Sequence, residues 1–382
     1  MKLFVNTDTS VTGKGGIGRK IDELKSYIVK HKQNIELYIL QFGENDRKYR
    51  TESNVIIYEV KPELKSDSKW GVYGSVGKIE DLYQRFDPFI KKIRQILLEI
   101  KPDAVTIEGT FWAPWCLYHA AKSAMDEKQL PKIPLILDYA GILSEEIKHY
   151  PPDLRKVLSL MEKDFNDEEM FYIFPSNLTK EKVEGIFGHQ IKNSTVIPNG
   201  VSDIFFEEQE NSAPNGIGYV GRDSHVKNIG FMPTLKRALE KSGKNRDMHV
   251  VSDFRNASSK EELIAHNIRI HGWKNKKALK KFYGNRSVMI SPSHFETFGI
   301  APLESIACGT PNIISENMGV REVYEDLGLD SHVLNISDVS QVIRRIEDLE
   351  GKRIKRCIRR KLRKRYSWQK IMPEYAAAIE RR

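Results

Sequence analysis

The sequence predicts an α/β protein made of two doubly wound domains, each with a mostly parallel sheet. Short apolar segments typical of buried strands alternate with longer segments in which apolar residues recur every three or four positions, as in helices. This alternation favours parallel sheets covered by helices. The chain has 382 residues. That length suits two domains of about 190 residues, each large enough to bury a core.

In the first half, the predicted elements begin at the second residue. Strands are expected over residues 2–6, 34–41, 54–60, 104–108, 133–138 and 171–175. Helices are expected after Gly18, with Ile21, Leu24 and Ile28 on one face, and over residues 89–100, 114–125 and 154–172.

The second half repeats the alternation after a turn sequence. Val196 to Val201 reads VIPNGV, a short strand followed by Pro and Asn-Gly turn chemistry, and the linker is placed between about 190 and 200. Strands are then expected over residues 217–220, 248–252, 268–272 and 288–290, and helices over 301–308 and from Glu322.

Charge and cysteine content indicate the compartment and the kind of partner. The net charge is +9 and the pI is about 9.1, so we expect an anionic partner such as a nucleotide diphosphate, an anionic lipid or a nucleic acid. Cys116, Cys308 and Cys357 are scattered, as expected for reduced thiols in the cytoplasm. No signal peptide and no run of 18 apolar residues is seen. We therefore expect a cytoplasmic protein, peripheral at most at the inner face of the membrane.

The stretch from Ser291 to Val320 is the predicted centre of the active site. Glu296 follows a short apolar strand, and Glu304 lies within the next predicted helix, separated from Glu296 by seven residues. In an open α/β sheet, ligands bind at the carboxyl ends of the strands. The amides of Thr297, Phe298 and Gly299 would lie near the helix N-terminus, which favours a phosphate. Two fixed carboxylates suit a polyhydroxy ligand such as a sugar and a ribose.

This stretch resembles the signature of the retaining nucleotide-sugar glycosyltransferases with the GT-B fold, the glycosyl transferases group 1 family. The family pattern P-S-x-x-E-x-F-G-x-x-x-x-E-x-x-A-x-G-x-P is matched at every fixed position, beginning at Pro292. The resemblance implies two Rossmann-like domains facing across a cleft. Residues 1–190 would form the acceptor domain and 196–365 the donor domain. Residues 366–382 would form a terminal helix that crosses back to the first domain.

Two cations follow the first strand of the second half. Residues 217–220 would deliver Arg222 to the end of the strand, and Lys227 follows five residues later. An Arg and a Lys fixed on one loop suit a diphosphate, since Arg binds by a forked hydrogen bond and Lys as a point charge. The segment matches the family's diphosphate-binding pair. By that resemblance, Arg222, Lys227 and Glu296 are catalytic, while Glu304 and residues 297–299 bind the donor.

A glycine-rich loop precedes the first helix. Gly13, Gly15 and Gly18 fit G-x-G-x-x-G, which on its own suggests a dinucleotide site. The preceding loop is too long for that fingerprint, and no acidic ribose ligand ends the next strand. In the resembled family, a Gly-Gly pair in this loop approaches the donor phosphate and the acceptor. This points to Gly15 and Gly16 as donor-binding residues; a merely flexible loop is the alternative.

Asp138 ends a buried strand and is the expected acceptor-side residue. Many family members have a His-Asp pair in this loop, and this chain has no His there. A capping role for Asp138 is therefore the alternative. Trp112, Trp115, Tyr118 and His119 could line an acceptor pocket, although such a cluster is more often core.

Residues 352–365 are strongly basic. Ten of the fourteen are Lys or Arg, with Ile354, Ile358 and Leu362 spaced four apart. This pattern is typical of a basic amphipathic helix that lies on an anionic membrane or binds nucleic acid. A solvated charged face over a narrow apolar seam is the alternative.

Together these features predict a retaining glycosyltransferase of hexosyltransferase type. It would move a sugar from a nucleotide diphosphate donor to a glycan, lipid-linked or small-molecule acceptor in glycoconjugate or polysaccharide biosynthesis. Neither a metal nor another cofactor is expected, because Arg222 and Lys227 would supply the positive charge. The alternatives are a catalytically silent relative, an NAD-dependent oxidoreductase using residues 13–18, and a nucleic-acid-binding protein using residues 352–365.

Overall fold

Two compact units make up the chain. The computed structural model describes residues 1–7, 15–62, 73–74, 76–208, 214–254 and 257–382. The first unit comprises Met1–Ile197 and Met372–Arg382, and the second is Pro198–Ile371. The chain therefore passes between the units twice, after Ile197 and within its last helix. Each unit holds one mostly parallel sheet, so the predicted fold class is confirmed.

In the described part of the first unit, eight strands form one sheet in the order β3-β4-β2-β1-β5-β6-β7-β8. All neighbours pair in parallel except β3 and β4, which are antiparallel. The strands are β1 (Lys2–Asn6), β2 (Glu36–Phe42), β3 (Arg47–Glu52), β4 (Val55–Val60), β5 (Ala104–Glu108), β6 (Leu135–Asp138), β7 (Phe171–Phe174) and β8 (Ser194–Val196). The strand order reverses between β1 and β5, where ligands bind in doubly wound sheets.

The helices of the first unit pack their apolar faces on this sheet. They are α1 (Gly16–His31), α2 (Ile79–Ile100), α3 (Trp112–Asp126), α4 (Leu143–Glu146), α5 (Pro152–Lys163) and α6 (Asn177–Phe187). Helix α1 buries Ile21, Leu24 and Ile28, as the spacing predicts. The last helix, α14 (Trp368–Glu380), begins in the second unit and ends in the first.

In the described part of the second unit, six parallel strands are ordered β11-β10-β9-β12-β13-β14. They are β9 (Ile217–Val220), β10 (Met248–Val251), β11 (Arg269–His271), β12 (Val288–Ser291), β13 (Asn312–Ser315) and β14 (Val333–Leu334). The helices are α7 (Phe231–Lys241), α8 (Ala257–Ala265), α9 (Lys276–Gly284), α10 (Ile300–Ala307), α11 (Arg321–Leu327), α12 (Val339–Leu349) and α13 (Arg356–Tyr366). Consecutive strand residues such as Met289 and Ile290 point to opposite faces and belong to separate buried clusters, so both faces of the sheet are covered.

Helices α5 and α2 and strand β3 are among the elements that differ from the sequence prediction. Helix α5 ends at Lys163 instead of reaching Tyr172, because Tyr172 is a residue of strand β7 and its hydroxyl donates to the Phe165 carbonyl at 2.5 Å. Helix α2 begins at Ile79, before the predicted start at residue 89, and contains Pro88 in its interior. Strand β3 was not predicted, because an exposed, charged edge strand carries no apolar pattern.

Candidate functional site

The candidate site of the second unit lies at the carboxyl ends of β9 and β12, where the strand order reverses. Arg222 and Lys227 lie on the loop after β9, and Glu296 lies on the loop after β12. The sequence placed all three residues on these loops, and the parallel pairing of β9 with β12 makes the loops neighbours.

An ion pair joins the two loops. The Lys227 ammonium lies 2.6 Å from Glu296 Oε2, and the two side chains are 20% and 13% exposed. The Ser293 hydroxyl donates to the other carboxylate oxygen, Oε1, at 2.7 Å. Both oxygens of Glu296 are therefore held, while the pair stays within reach of solvent. A cation and a carboxylate in direct contact can bind an anionic group and a hydroxyl side by side.

Backbone hydrogen bonds fix the position of this pair. The His294 amide donates to the Val226 carbonyl at 2.8 Å, and the Asn228 side-chain amide donates to the Pro292 carbonyl at 3.0 Å. Beneath the loop, the buried Tyr219 hydroxyl donates to the Lys227 carbonyl at 3.3 Å. Burial raises the pKa of Tyr219 well above its ordinary value, so its hydroxyl stays a donor. These hydrogen bonds therefore hold Lys227 and Glu296 in fixed positions relative to each other.

Arg222 differs from Lys227 in its surroundings. Its side chain is exposed, and its guanidinium forms no ion pair with any other residue in the described part of the chain. An exposed guanidinium can bind an anion without first giving up a protein carboxylate. The structure thus gives the loop one paired and one unpaired cation.

Glu304 lies in α10, as predicted, and it is buried. Its side chain is 2% exposed, and the Tyr283 hydroxyl donates to its Oε2 at 2.9 Å. The hydrogen bond from Tyr283 of α9 sets the orientation of this carboxylate. The two glutamates of the motif therefore differ, one at the surface of the site and one inside the unit.

Gly299 is the turn between the Glu296 loop and α10. Its φ is +100°, a region that favours glycine. A Cβ here would lie 2.7 Å from Met318 Cε and 3.2 Å from Glu296 Oε2. Phe298, just before it, is buried, and its carbonyl accepts from the Val320 amide at 2.9 Å. Residues 297–299 lead directly into α10, whose start has no side-chain cap.

In the first unit, Gly15 and Gly16 form the start of α1, while Gly13 lies outside the described residues. Gly15 is the N-cap, without a side-chain hydrogen bond, and the first turn holds no acidic residue. A Cβ on Gly16 would meet nothing within 4 Å. The N-terminus of α1 is therefore uncapped and uncrowded, as an anion-binding helix end requires.

Asp138 ends β6, as predicted, but it is 4% exposed and forms an ion pair with Lys20 of α1. Lys20 also lies 2.6 Å from Glu108, to which the Tyr375 hydroxyl donates at 2.6 Å. The sequence analysis missed Lys20, Glu108 and Tyr375. One signal was present, since Lys20 precedes Leu24 by one helical turn on the apolar face of α1.

The aromatic residues expected near the acceptor are mostly core. Trp115 and Tyr118 are 0% and 6% exposed, and Trp112 stacks on Phe86. The Trp115 indole donates to Asp164 at 2.9 Å. Their burial favours the core alternative for this cluster.

Within the basic segment, helix α13 begins at Arg356, later than the predicted start at residue 352, and the apolar side of the segment is occupied. Ile354 and Leu362 are 8% and 0% exposed and belong to the core cluster of the second unit, with Ile358 packed against it. Arg359 Nε donates to the Ala307 carbonyl at 2.7 Å. The apolar face is therefore not available for insertion into a bilayer, and the outer face of α13 is cationic.

The described residues contain neither a candidate metal site nor a candidate membrane-spanning helix. No group of three or more His, Cys, Asp or Glu side chains in these residues is placed to hold a metal ion. Among the helices described, none is long and apolar enough to cross a membrane.

Comparison with known proteins finds a family match within the second unit. Residues 201–366 match the family described as glycosyl transferases group 1, which confirms the resemblance. An uncharacterised glycosyltransferase of Methanocaldococcus jannaschii is 27% identical over 60% of this chain and 65% of its own length. A glycogen synthase of Mycobacterium tuberculosis is 23% identical over 50% and 49%. The chain thus spans about half to two thirds of the length of these relatives.

Solved structures share the fold over nearly the whole chain. Sucrose-phosphate synthase from Thermosynechococcus elongatus has a TM-score of 0.75 at 14% identity, covering 100% of this chain and 98% of that one. WaaG, a glycosyltransferase involved in lipopolysaccharide biosynthesis, has a TM-score of 0.68 at 12% identity, covering 99% of both. Anabaena HepE, solved with UDP and glucose, has a TM-score of 0.68 at 13% identity, again covering 99% of both. The GT-B fold is therefore confirmed.

Proposed function

Because residues 201–366 match the glycosyl transferases group 1 family, we propose that this chain transfers a sugar from a nucleotide diphosphate donor to an acceptor hydroxyl. The observation that carries the proposal is the Lys227 to Glu296 contact at 2.6 Å, with Arg222 on the same loop. The cations of Arg222 and Lys227 can bind the diphosphate of the donor, and the carboxylate of Glu296 can accept hydrogen bonds from the hydroxyls of its sugar. Both are present at the switch point of one parallel sheet.

Each of the candidate site residues in the second unit has a role in this proposal. Arg222 and Lys227 neutralise the diphosphate and stabilise the charge that grows on it as the glycosidic bond breaks. An ammonium has three N–H donors, so Lys227 can keep Glu296 while binding a phosphate oxygen. Glu296 and the amides of residues 297–299 orient the sugar. Glu304, held by Tyr283, binds the ribose hydroxyls.

The transfer is proposed to retain the configuration of the sugar by a displacement on one face, through an oxocarbenium-like transition state. The departing phosphate oxygen accepts the proton of the acceptor hydroxyl, so no protein base is needed for that step. Arg222 and Lys227 supply the charge stabilisation, and the reaction is proposed to be independent of metal ions. The open N-terminus of α1 at Gly15 and Gly16 is proposed to bind an anionic or hydroxyl group of the substrates.

The acceptor class is proposed from the relatives. WaaG acts in lipopolysaccharide biosynthesis, and a mannosyltransferase of Mycobacterium tuberculosis named as GDP-mannose-dependent acts on a phosphatidylinositol dimannoside. The latter is 28% identical over 27% of this chain and 26% of its own length. A glycan or lipid-linked acceptor in glycoconjugate biosynthesis is the corresponding proposal here.

The first experiment is a thermal-shift panel of UDP-, GDP-, ADP- and CDP-sugars, with NAD and NADP as controls, in the presence of Mg²⁺ or EDTA. We expect one nucleotide class to raise the melting temperature equally in both conditions. Stabilisation by NAD or NADP alone would support the oxidoreductase, and no response to any compound would contradict a donor site.

Arg222→Ala and Glu304→Ala are expected to weaken binding of that donor. Loss of a charged hydrogen bond costs about 1.5–3 kcal/mol, so Arg222→Ala should raise the dissociation constant by about 10-fold or more. Isothermal titration calorimetry measures both variants. The matched control is Arg237→Ala, an exposed arginine of α7, which should leave affinity unchanged. Wild-type affinity in both site variants would reject the site assignment.

Peripheral membrane contact is proposed through the outer face of α13. Arg360 and Lys364 are exposed and form no ion pair within the described residues. Arg360→Glu with Lys364→Glu should reduce sedimentation with phosphatidylglycerol vesicles, and 0.5 M NaCl should abolish it in the wild type. Lys241→Glu with Lys260→Glu, on α7 and α8, is the charge-matched control. Equal binding by both double variants would contradict this contact.

A further inference from the structure

A buried polar cluster in the first unit has no part in the proposed transfer chemistry. The Lys20 ammonium lies 2.6 Å from Glu108 Oε2 and is also paired with Asp138. The Tyr375 hydroxyl donates to Glu108 Oε1 at 2.6 Å, and the Lys20 ammonium lies 5.1 Å from the Tyr375 ring centroid. The side chains of Lys20, Glu108 and Asp138 are 4%, 0% and 6% exposed. These groups are therefore almost fully shielded from solvent.

The members come from four elements far apart in the chain. Lys20 is in the first turns of α1, Glu108 ends β5, Asp138 ends β6, and Tyr375 is in α14. Asn6, at the end of β1, fixes the backbone of Glu108: its Oδ1 accepts from the Glu108 amide at 2.8 Å, and its Nδ2 donates to the Glu108 carbonyl at 3.2 Å. The cluster thus ties the start of α1 and the last helix to the strand ends at the switch point of this sheet.

Charge balance makes this cluster sensitive to protons. It contains one ammonium and two carboxyl groups, so ionisation of both carboxyls would leave a net negative charge in a buried site. Burial raises the pKa of Glu108 to about 7, against the lowering effect of Lys20 and together with the raising effect of Asp138. Burial alone would lower the pKa of Lys20, but the charges of Asp138 and Glu108 raise it overall. Tyr375 stays protonated, because burial raises its pKa well above the ordinary value.

We propose that Lys20, Glu108, Asp138 and Tyr375 form a proton-dependent positioning cluster, which fixes the start of α1 and the ends of β5 and β6 and holds the C-terminal part of α14 on the first unit. Asp138 and Glu108 then act on the ligand crevice of this unit through position and not through contact. The groups that face Glu108 are Lys20 from α1, Asp138 from β6 and Tyr375 from α14.

The direction of the pH effect follows from the raised pKa of Glu108. The folded cluster binds a proton that a released or unfolded Glu108 would lose near its ordinary value of 4.5. The stabilisation by this proton is fully present below that value and is lost as the pH rises through about 7. Release of α14 would let solvent reach Glu108 and would also remove the hydrogen bond from Tyr375, which by itself lowers the pKa of Glu108. Burial has the larger effect, so the hold on α14 is stronger at pH 6 than at pH 8, and a pKa of about 7 changes the equilibrium about tenfold over that interval.

The test is hydrogen exchange of the full chain, without ligand, between pH 5.5 and 8.5. Peptides covering residues 372–382 are followed by mass spectrometry, with rates corrected for intrinsic exchange. Wild-type protection of these residues should fall about tenfold from pH 6 to pH 8. Glu108→Gln removes the titrating group and should abolish this fall. Tyr375→Phe should lower protection at pH 6, because the hydrogen bond to Glu108 is lost.

Glu162→Gln is the matched control. Glu162 is a second buried glutamate of the first unit whose pKa is raised by burial, and it accepts from the amides of Leu143 and Ser144. This variant should change the pH dependence of global stability while residues 372–382 keep the wild-type fall in protection. A flat wild-type profile, or a fall that survives in Glu108→Gln, would overturn the proposal. Glu108→Gln and Tyr375→Phe are conservative changes, so the proposal can be tested with them even if substitution of Lys20 prevents folding.

This inference concerns the free protein and stands apart from the transferase proposal. If a donor is found, its hydrolysis rate adds a second readout, in which Glu108→Gln should shift the pH profile of kcat. The hydrogen-exchange experiment tests whether the cluster holds α14 in a proton-dependent way, whatever the outcome of the nucleotide panel. Failure of the panel alone would reject the transfer function and leave the cluster intact.

Discussion

Each unit of this protein joins a lysine to carboxylates at the switch point of its sheet, and the two arrangements differ in burial. In the second unit, Lys227 and Glu296 are 20% and 13% exposed and lie on loops. In the first unit, the side chains of Lys20, Glu108 and Asp138 are 4%, 0% and 6% exposed, at the ends of regular elements. The same functional groups at corresponding places can therefore form an open site in one unit and a closed cluster in the other.

The difference shows that residue type and position in the fold do not by themselves give a role. A partly exposed pair is screened by solvent and can accept a ligand at modest cost. A buried pair has already given up its hydration, and breaking it leaves an unpaired charge without solvent. Three pairs of experiments compare the two regions directly.

The largest effect is expected from removal of each lysine in turn. Lys20→Met leaves two carboxyl groups buried with one hydroxyl donor, and such a change costs about 3–5 kcal/mol of unfolding free energy. Lys227→Met leaves Glu296 bonded to Ser293 and partly solvated, so its cost should stay below about 1 kcal/mol. Urea unfolding followed by circular dichroism measures both. Equal losses in the two variants would show that burial does not separate these sites.

An intermediate effect is expected from two glycines, one in each unit. Gly299→Ala places a Cβ 2.7 Å from Met318 Cε at a φ of +100°, which should cost about 1–3 kcal/mol and reduce nucleotide binding. Gly16→Ala enters open space in the first turn of α1 and should be neutral or slightly stabilising. Unfolding curves and the nucleotide-induced thermal shift measure both variants. Similar stability for the two would argue against a tight turn at Gly299.

The smallest effect should appear in the salt dependence of the couplings. A double-mutant cycle of Lys227→Met with Glu296→Gln should give a coupling of about 0.2–1 kcal/mol at low salt that shrinks in 1 M NaCl. A cycle of Glu108→Gln with Tyr375→Phe should change little with salt, because both groups are buried. If the Glu108–Tyr375 coupling fell with salt as steeply as the Lys227–Glu296 coupling, the first-unit cluster would not be shielded from solvent.

Much of the second unit's site was predictable from the sequence. Arg222, Lys227 and Glu296 each follow a strand with a clear apolar run, and the carboxyl ends of parallel strands share one edge. The burial of Glu304 and its bond to Tyr283 could not be predicted, because they depend on how α9 packs against α10. The local sequence pattern predicts the strand, loop or helix on which each residue lies, but its burial and its hydrogen-bond partners depend on how the helices pack.

The first unit's cluster was not predictable, for a different reason. Tyr375 and Glu108 are 267 positions apart, and the sequence contains nothing that pairs them. Asp138 was placed correctly at a strand end, yet its partner Lys20 resembles any charged helical residue until Leu24 and Ile28 show which face of α1 is buried. The early end of α5 has a similar origin, since Phe165 is buried beyond the helix and Tyr172 bonds back to it.

The path of the chain through α14 has a consequence for synthesis. Met372, Tyr375, Ala376 and Ile379 are at most 3% exposed and belong to the first unit, although they are translated after the whole of the second. During synthesis, the hydrogen bond from Tyr375 to Glu108 can therefore form only after the whole second unit has been translated. The first unit is the earlier to emerge and the later to be completed.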